Sequence, residues 1–357
     1  MKKKLNITVL VDIAEIPPED PDFMAADHQQ STEYHVIETL RNLGHNVSAL
    51  GSMDNIEETI IKLKEQNPDL VFNLTEHLGG DRKFDKNIAA LLEMLEMPFT
   101  GAGSTGLLLS RDKRLCKELL SLHRIRVPRF VSLPLNKTIS LPKKLTFPLV
   151  VKPAFEDSSE GISNASIVWK EDALKERVKF VHERWKQAVI AEEYIEGQEL
   201  YVSILGNKRL CVLPIRECFF NIEDNKGPCL ATYRVKWNAK YREKWDIKFG
   251  FAELETPLIK KLERICKKVY KVLQLRDYGR IDIRLTSDKK IYILEANSNP
   301  DLAYGEEVAE SADKCGISYE NLIKRIVNIA LRRFAVKKTS RSISAADSSP
   351  EPAPDIS

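Results

Sequence analysis

The sequence contains no apolar stretch long enough to cross a bilayer. Its first apolar run, residues 7–11, is interrupted by Asp12, whereas a transmembrane helix needs about 20 apolar residues. The run is also too short for the apolar part of a signal peptide. We therefore expect it to form the first β-strand of a cytoplasmic protein that has no membrane partner.

Paired cysteines and a strong net charge are also lacking. The six cysteines are scattered, without a C-x-x-C pair or metal-ligand spacing, which is typical of reduced thiols in a cytosol. The 55 basic and 52 acidic side chains give a net charge of only +3. No overall attraction to nucleic acid or anionic lipid is expected, so an anionic ligand has to be bound by local groups.

Two further absences narrow the choice of function. The sequence has no G-x-x-x-x-G-K-S/T motif, so any nucleotide is bound without a Walker A loop. The six histidines form no obvious pair. Only His77, in a loop beside Glu76, is a candidate for substrate contact, and a loop histidine without a role is the alternative.

At 357 residues the chain is too long for one simple core. Strand and helix patterns alternate at the start and mix later, which predicts an α/β protein with additional α+β lobes. We place an N-terminal parallel α/β lobe at residues 1–105, a central lobe at 106–191 and a C-terminal lobe at 192–336. The last helix should cover residues 319–334, and residues 337–357 have the polar composition of a disordered tail.

A helix is predicted to begin near residues 110–113. Ser110 is suited to the N-cap position and Asp112 to the first turn, where a carboxylate interacts favourably with the helix dipole.

The most informative segment is a predicted hairpin that carries acidic and amide side chains. A four-residue turn at residues 287–290 would place Asp282 opposite Glu295, and Glu295 and Asn297 would share one face of their strand. Two facing carboxylates repel unless a cation lies between them, and an all-oxygen set suits Mg2+. The alternative is a hairpin whose charged face is simply solvated.

Two other segments suggest a phosphate and base site. Lys152 ends an apolar strand, and the small-residue loop 156–161 follows, so the ammonium and the loop N–H groups could bind phosphate oxygens. Residues 191–199 have the composition of a strand that flanks a flat base, with Glu199 reaching a sugar hydroxyl. A solvated loop and an acidic edge strand are the respective alternatives.

Taken in order, these segments resemble the D-alanyl-D-alanine ligase family of the ATP-grasp superfamily. The resemblance covers roughly residues 5 to 333. It is carried by residues 72–76, 89–93, 98–101, 112–113, 152–153, 156–161 and 192–199, by Arg280-x-Asp282 and by Glu295-x-Asn297.

The resemblance implies a three-lobed ATP-grasp fold and a ligase that joins a carboxylate to an amine through an acyl phosphate. Arg280 and Lys236 would be catalytic, Lys236 lying in a mobile loop at residues 233–237, with Lys240 and Tyr241 as the second candidate pair. Mg2+, with Mn2+ as the alternative, would bind Asp282, Glu295 and Asn297. The implied ATP-binding residues are Lys113, Lys152, Ser158, Ser159, Gly161, Glu192, Glu193, Tyr194, Ile195 and Glu199.

Two segments depart from the family pattern where that family binds its amino acids. Residues 12–18 replace a glycine-rich loop that ends in Ser-x-Glu, which leaves Glu15 as a substrate candidate beside Glu76 and His77. Glu306 stands where the family has a hydroxyl-bearing segment that binds the substrate carboxylate. A carboxylate there would repel an acid and favour a cationic or amino-bearing acceptor.

Competing functions remain open at this point. The chain could be a non-catalytic ATP-binding regulatory module, or a kinase, carboxylase or ligase of the same fold that acts on a substrate other than an amino acid. For the enzyme we expect small-molecule carboxylate and amine substrates, no nucleic acid, and a two-fold homodimer as the commonest assembly.

Overall fold

The computed structural model describes residues 4–12, 31–52, 55–156, 161–220 and 230–347. Its first strands form a parallel sheet in the order β2-β1-β3. Helices cover this sheet, so its strands are almost entirely buried, as expected for a parallel sheet. The elements are β1 (Asn6–Val11), α1 (Thr32–Asn42), β2 (Asn46–Gly51), α2 (Ile56–Gln66), β3 (Leu70–Asn73) and α3 (Asp85–Met94).

Two helices, α4 (Ser104–Arg111) and α5 (Lys113–Leu122), meet at Asp112. The Asp112 carboxylate caps α5 by accepting hydrogen bonds, each 3.0 Å long, from the backbone N–H groups two and three residues ahead. The expectation of a cap at Ser110 is therefore wrong. Ser110 lies in the last turn of α4, where its hydroxyl donates to a carbonyl of the same helix, because the carboxylate is the better placed acceptor. Lys113 becomes the first residue of α5.

The middle of the chain forms an antiparallel sheet in the order β4-β7-β5-β6. One helix lies on this sheet through Leu174, Val178 and Val181, which are buried against the strands. The elements are β4 (Phe130–Leu133), β5 (Leu149–Pro153), β6 (Ile167–Val168), α6 (Glu171–Trp185) and β7 (Val189–Glu193).

A third, antiparallel sheet has the order β11-β10-β8-β12-β13, with β9 paired to β8. The strands are β8 (Gln198–Leu205), β9 (Cys211–Val212), β10 (Arg216–Phe219), β11 (Lys248–Phe251), β12 (Tyr278–Leu285) and β13 (Ile291–Asn297). The helices of this part are α7 (Tyr233–Trp237), α8 (Ala239–Lys244), α9 (Thr256–Val272), α10 (Glu307–Lys314) and α11 (Tyr319–Asp347).

The last helix corrects the prediction for the end of the chain. α11 continues to Asp347, beyond the expected end at Phe334 and into the segment for which we expected disorder. Residues 337–347 contain neither Gly nor Pro, so the packed part of the helix can propagate through them. Residues 348–357 lie outside the described part.

Helices and sheets that are far apart in the sequence share hydrophobic cores. Leu322, Ile323 and Ile326 of α11 share a core with the first sheet. Cys116 and Leu120 of α5 belong to the core of the third sheet. The proposed lobe boundaries at residues 105 and 192 stay predictions, because helices on either side of them pack across the lobes.

Candidate active site

A cleft of about 930 Å³ is lined by residues of all three sheet regions. Glu76 contributes from the loop after β3, Gly161 and Trp185 from the middle region, and Arg280 and Asn297 from the third sheet. Residues that are far apart in sequence therefore converge on one volume, large enough for a small-molecule site.

Asp282 and Glu295 lie opposite each other on β12 and β13, as the hairpin pattern predicts. The pairing arises in a different way, because Leu285 pairs with Ile291 and the register shifts between Asp282 and Ile283. The turn is thus one residue longer than expected, and a β-bulge compensates for it. Paired residues share a face, so both carboxylates point the same way.

Cations control the ionisation of Glu295. Burial would raise the pKa of this carboxyl, but the surrounding ammonium and guanidinium groups lower it to about 2. Glu295 is therefore an anion at neutral pH. The cations responsible are Lys113, Lys152, Lys236 and Arg280.

Arg280 is 6 % exposed and is held between two carboxylates. Its Nε and Nη2 donate to Asp282 at 2.8 and 3.0 Å, and its Nη1 donates to Glu307 at 3.0 Å. Burial alone would lower the pKa of Arg280, but the two carboxylates raise it. Burial raises the pKa of Asp282, and Arg280 opposes that shift. The arginine plane is thus fixed at the edge of the cleft.

The predicted phosphate ligands Lys113 and Lys152 are almost completely buried, and neither lines the cleft. Lys113 Nζ lies 3.7 Å from Glu295 and also donates to the carbonyl of Glu156. Lys152 Nζ lies 2.6 Å from Glu192 Oε1. Burial would lower the pKa of Lys152, but Glu192 and Glu295 raise it, so this lysine keeps its charge.

The side chain of Glu192 has a different contact from the one expected in an adenine slot. Its second oxygen lies 2.8 Å from Lys117 Nζ, and the residue is 1 % exposed. Burial would raise the pKa of Glu192, but Lys117 and Lys152 lower it. The carboxylate thus forms ion pairs with two lysines instead of facing an open site.

The remaining predicted base and sugar residues run from Glu193, the last residue of β7, to Glu199 near the start of β8. Glu193 accepts hydrogen bonds from the backbone and hydroxyl of Thr146, while Tyr194 and Ile195 are partly buried. Glu199 accepts from Tyr201 and from Arg284, whose Nη2 lies 2.6 Å away. A ribose at Glu199 would have to share the carboxylate with these protein partners.

The segment expected to form a mobile loop around Lys236 is helical. α7 carries Lys236 into the cleft lining, where its Nζ lies 5.9 Å from the centre of the Tyr201 ring. Lys240 is exposed and does not line the cleft, so the geometry favours Lys236 of the two candidates.

Gly161 is the described end of the predicted phosphate loop, and it too lines the cleft. Its φ of +72° is in the left-handed region, and a Cβ there would lie 2.6 Å from the Pro153 ring. Glycine is therefore required at this turn. Ser158, Ser159 and the substrate candidate Glu15 lie outside the described residues.

The other substrate candidates occupy different surroundings. Glu76 lines the cleft and accepts a 2.6 Å hydrogen bond from Arg82. His77 does not line it and instead lies 3.6 Å from Asp12. Glu306 lines the cleft, and burial, Glu307 and Asp301 raise its pKa to about 7.

Comparison with known proteins decides the family. The family model described as the D-ala D-ala ligase C-terminus matches residues 124–328. The D-alanine–D-alanine ligase of Aquifex aeolicus is 30 % identical over 82 % of this chain and 92 % of its own length. The uncharacterized protein y4sG of Sinorhizobium fredii is 32 % identical over 84 % of this chain and 87 % of its own. This chain belongs to the D-alanine–D-alanine ligase family.

Solved structures show the same fold. The D-alanine–D-alanine ligase of Bacillus anthracis, crystallised with ATP, superposes with a TM-score of 0.72 at 24 % identity and covers 93 % of this chain and 99 % of its own. The VanG D-Ala:D-Ser ligase of Enterococcus faecalis gives a TM-score of 0.67 at 18 % identity, over 92 % and 100 % of the two chains. The predicted ATP-grasp fold is confirmed.

Members of the D-alanine–D-alanine ligase family are ATP-dependent enzymes that form carbon–nitrogen bonds, and the chain is such a ligase. ATP use and dependence on a divalent metal come with the family. In the part of the chain that the structure describes, no helix is long and apolar enough to cross a membrane.

The donor set fits a hard divalent cation. No cluster of three or more His, Cys, Asp or Glu side chains with metal-site geometry occurs among the described residues. Asp282 and Glu295 supply two carboxylates on one face, and Asn297, which pairs with Arg280 two positions further along, adds an amide on the same face. All of these donors are oxygens, the ligands that Mg2+ prefers when phosphate and water complete its shell.

Sequence reasoning missed two buried contacts of this site. Glu307 was expected, with Glu306, to repel a substrate carboxylate, and its pairing with Arg280 escaped because only the fold brings the two residues together. Lys117 had a readable signal, since it lies four residues after Lys113 and so on the same face of α5. Its 2 % exposure could not be read from the sequence.

Proposed function

We propose that this ligase uses ATP with Mg2+, or with Mn2+ as the alternative metal, to join a carboxylic acid to an amine through an acyl phosphate. The observation that supports this most directly is the fixed Arg280 guanidinium, held by Asp282 and Glu307 at the edge of the cleft. Such a group, positioned before the reaction, stabilises charge that develops on oxygen.

In the first step, a substrate carboxylate oxygen attacks the γ-phosphorus of ATP and ADP leaves. Lys113 and Lys152 bind phosphate oxygens, and the loop with Ser158, Ser159 and Gly161 covers them. Asp282, Glu295 and Asn297 would hold the metal, and its charge would reduce repulsion between the phosphate oxygens and the incoming carboxylate. Lys236 supplies a further positive charge from the cleft lining.

In the second step, the amine nitrogen attacks the acyl carbon, and phosphate leaves as the amine loses a proton to phosphate or solvent. Arg280 is placed to stabilise the oxyanion of the tetrahedral species. Tyr194 and Ile195 flank the adenine and Glu199 binds the ribose. Glu192 acts through the lysines that it holds, and not on the base.

We further propose that the acceptor is a cationic or amino-bearing molecule with no carboxylate beside Glu306, and that the nitrogen that attacks does so as the neutral amine. Glu307 is paired with Arg280 and Glu76 with Arg82, which leaves Glu306 and Asp301 as the acidic groups of the cleft lining outside these two ion pairs. An acceptor carboxylate beside them would be repelled, whereas an ammonium would be attracted.

Release of ADP tests the reaction. The purified protein is incubated with MgATP, a panel of carboxylic acids and amines, and hydroxylamine. The proposal predicts ADP that depends on a carboxylate, together with a hydroxamate from the trapped acyl phosphate. Thermal stabilisation by ATP without any ADP would instead identify a binding module, and ADP without hydroxamate would indicate a kinase.

A matched acceptor series tests the charge preference. With the donor acid fixed, kcat/KM is compared for D-alanine, its amide and a short diamine. The amide and the diamine should exceed the free amino acid. Phosphate release with D-alanine alone would contradict the proposed acceptor.

The assembly and location proposed for the enzyme are a cytoplasmic homodimer. ATP as substrate and the unpaired cysteines of the described residues support the location. Light scattering on the purified chain would decide between monomer and dimer, and fractionation of the source cell would test the compartment.

A further inference from the structure

The buried side chain of Lys117 has no role in the reaction as described above. It belongs to α5, whose residues Cys116 and Leu120 are part of the core of the third sheet, and it is 2 % exposed. A buried ammonium is strongly unfavourable unless carboxylates and carbonyls replace its water. The contacts of Lys117 are therefore a guide to what it does.

The first contact is with the backbone of the metal-site strand. Lys117 Nζ donates a 2.7 Å hydrogen bond to the carbonyl oxygen of Leu294. Leu294 is the residue of the β-bulge, because Ile283 pairs with Ile293 and Asp282 with Glu295, which leaves Leu294 without a partner on β12. Lys117 therefore binds the backbone at the one residue of β13 that the bulge takes out of register.

That bulge determines where the Glu295 carboxylate points. If the register of Ile283 and Ile293 continued unchanged, Asp282 would face Leu294 and Glu295 would face Ile281. Ile281 lies in the apolar core of the third sheet, so Glu295 would point into that core. A slip of one residue moves side chains to the other face of a sheet, and the bulge turns Glu295 toward Asp282.

The second contact reaches the middle sheet. Lys117 Nζ lies 2.8 Å from Glu192 Oε2, and the other oxygen of Glu192 lies 2.6 Å from Lys152 Nζ. Glu192 is on β7 and Lys152 on β5, whereas Leu294 is on β13. A single ammonium thus joins the strand of the metal ligands to the strands that carry the phosphate lysine.

We propose that Lys117 is a positioning residue that fixes both the Glu295 bulge and the Glu192–Lys152 pair, and so sets the metal ligands against the phosphate ligand. The inference rests on the proposed function of that site. Lys117 touches neither nucleotide nor metal itself in this scheme, and it acts through Leu294 and Glu192.

Two substitutions separate positioning from simple stability. Lys117→Met removes charge and donors but keeps the length of the side chain, and Lys117→Gln keeps a donor for the Leu294 carbonyl. Arg114→Met is the control, because it removes a cation from the exposed side of the same helix. Melting temperature and circular dichroism identify the folded variants.

The main measurement is binding of Mn2+ to the complete chain in the presence of a non-hydrolysable ATP analogue, followed by electron paramagnetic resonance. Loss of an interaction that orients metal ligands typically weakens metal affinity by about 10- to 100-fold. Lys117→Met should show a loss in this range and Lys117→Gln a smaller one, while Arg114→Met should match the native chain.

The Glu192→Gln background separates the two contacts. If Lys117 acts on the metal site through Leu294, Lys117→Met still weakens Mn2+ binding in this background, whereas its effect on affinity for the ATP analogue largely disappears. Native Mn2+ affinity in folded Lys117→Met and Lys117→Gln would overturn the inference. Failure of the native chain to form ADP would refute the proposed function, and the Mn2+ comparison would still decide the role of Lys117.

Discussion

The phosphate end of the site comprises Lys113, Lys152 and Glu295. None of them lines the cleft, and the cations and carboxylates there are paired and mostly buried. At the acceptor end, formed by Asp301, Glu306 and Glu307, three carboxylates lie close enough to affect one another's ionisation. The paired charges of the phosphate end suit a polyphosphate. The acceptor end keeps an excess of negative charge, and such an excess favours one acceptor over another.

Arg280 stands between the two ends, and its loss should have the largest effect. Arg280→Lys keeps the charge but loses the fork that binds Asp282 and Glu307 together. We expect kcat to fall by about 10³ with affinity for ATP nearly unchanged, because the lost interaction belongs to the transition state. Steady-state ADP release and ATP titration measure the two quantities, and native kcat in the folded variant would contradict the assigned role.

Removing a cation from the phosphate end should have the next largest effect. Lys152→Met deletes a charge that pairs with Glu192 and lowers the pKa of Glu295. We expect kcat/KM for ATP to fall by about 10², the scale of a lost charge-assisted phosphate contact. Lys179→Met, on the exposed side of α6, is the control. An unchanged KM for ATP would remove Lys152 from the phosphate site.

Removing a charge from the acceptor end should leave the nucleotide unaffected. Glu306→Gln is expected to lower kcat/KM for a diamine acceptor by about 10-fold, because one charge contact with the acceptor is lost. The KM for ATP should stay at its native value. Glu320→Gln, at an exposed position of α11, serves as the control. Equal losses of kcat/KM for the diamine and for ATP would mean that the acceptor end and the phosphate end do not act independently.

The smallest expected effect is a pH dependence that belongs to the acceptor end alone. The pKa of Glu306 is raised to about 7, by burial and by Glu307 and Asp301, against Arg280 and Lys236. Its ionised fraction therefore rises from about a tenth at pH 6 to about nine tenths at pH 8. Affinity for a cationic acceptor should increase several-fold across this range.

The pH profile has its own control. In Glu306→Gln the increase between pH 6 and 8 should disappear, because no carboxyl remains to ionise at that position. At the phosphate end, Glu295 has its pKa lowered to about 2 and stays ionised throughout the range. An identical profile in the variant would assign the titration to another group.

Sequence patterns predicted the hairpin face well because strand alternation is a local property. Asp282 and Glu295 were expected to pair and do so, although the turn length and the bulge were not foreseen. In our proposal the bulge depends on Lys117, which lies 177 residues before Leu294 in the chain. The wrong prediction of Ser110 as the N-cap is a local error. Ser110 and Asp112 are both suitable acceptors, and the structure shows that the Asp112 carboxylate accepts from the first turn of α5.

The contacts of single side chains were less predictable. The composition of residues 191–199 suggested a base-binding strand, but the Glu192 carboxylate is taken by two lysines from other elements. Glu307 likewise gains its role only when α10 meets β12. Burial and ion pairing across lobes are decided by the assembled fold, and a single sequence carries little record of them.

The sharing of a core between α11 and the first sheet bears on how the protein is made. Leu322, Ile323 and Ile326 share a core with apolar side chains such as Val36 and Phe72, which are synthesised about 250 to 290 residues earlier in the chain. As the nascent polypeptide leaves the ribosome, those earlier side chains remain uncovered until α11 emerges. A chaperone that binds exposed apolar strands would therefore find its target in the first sheet throughout most of translation.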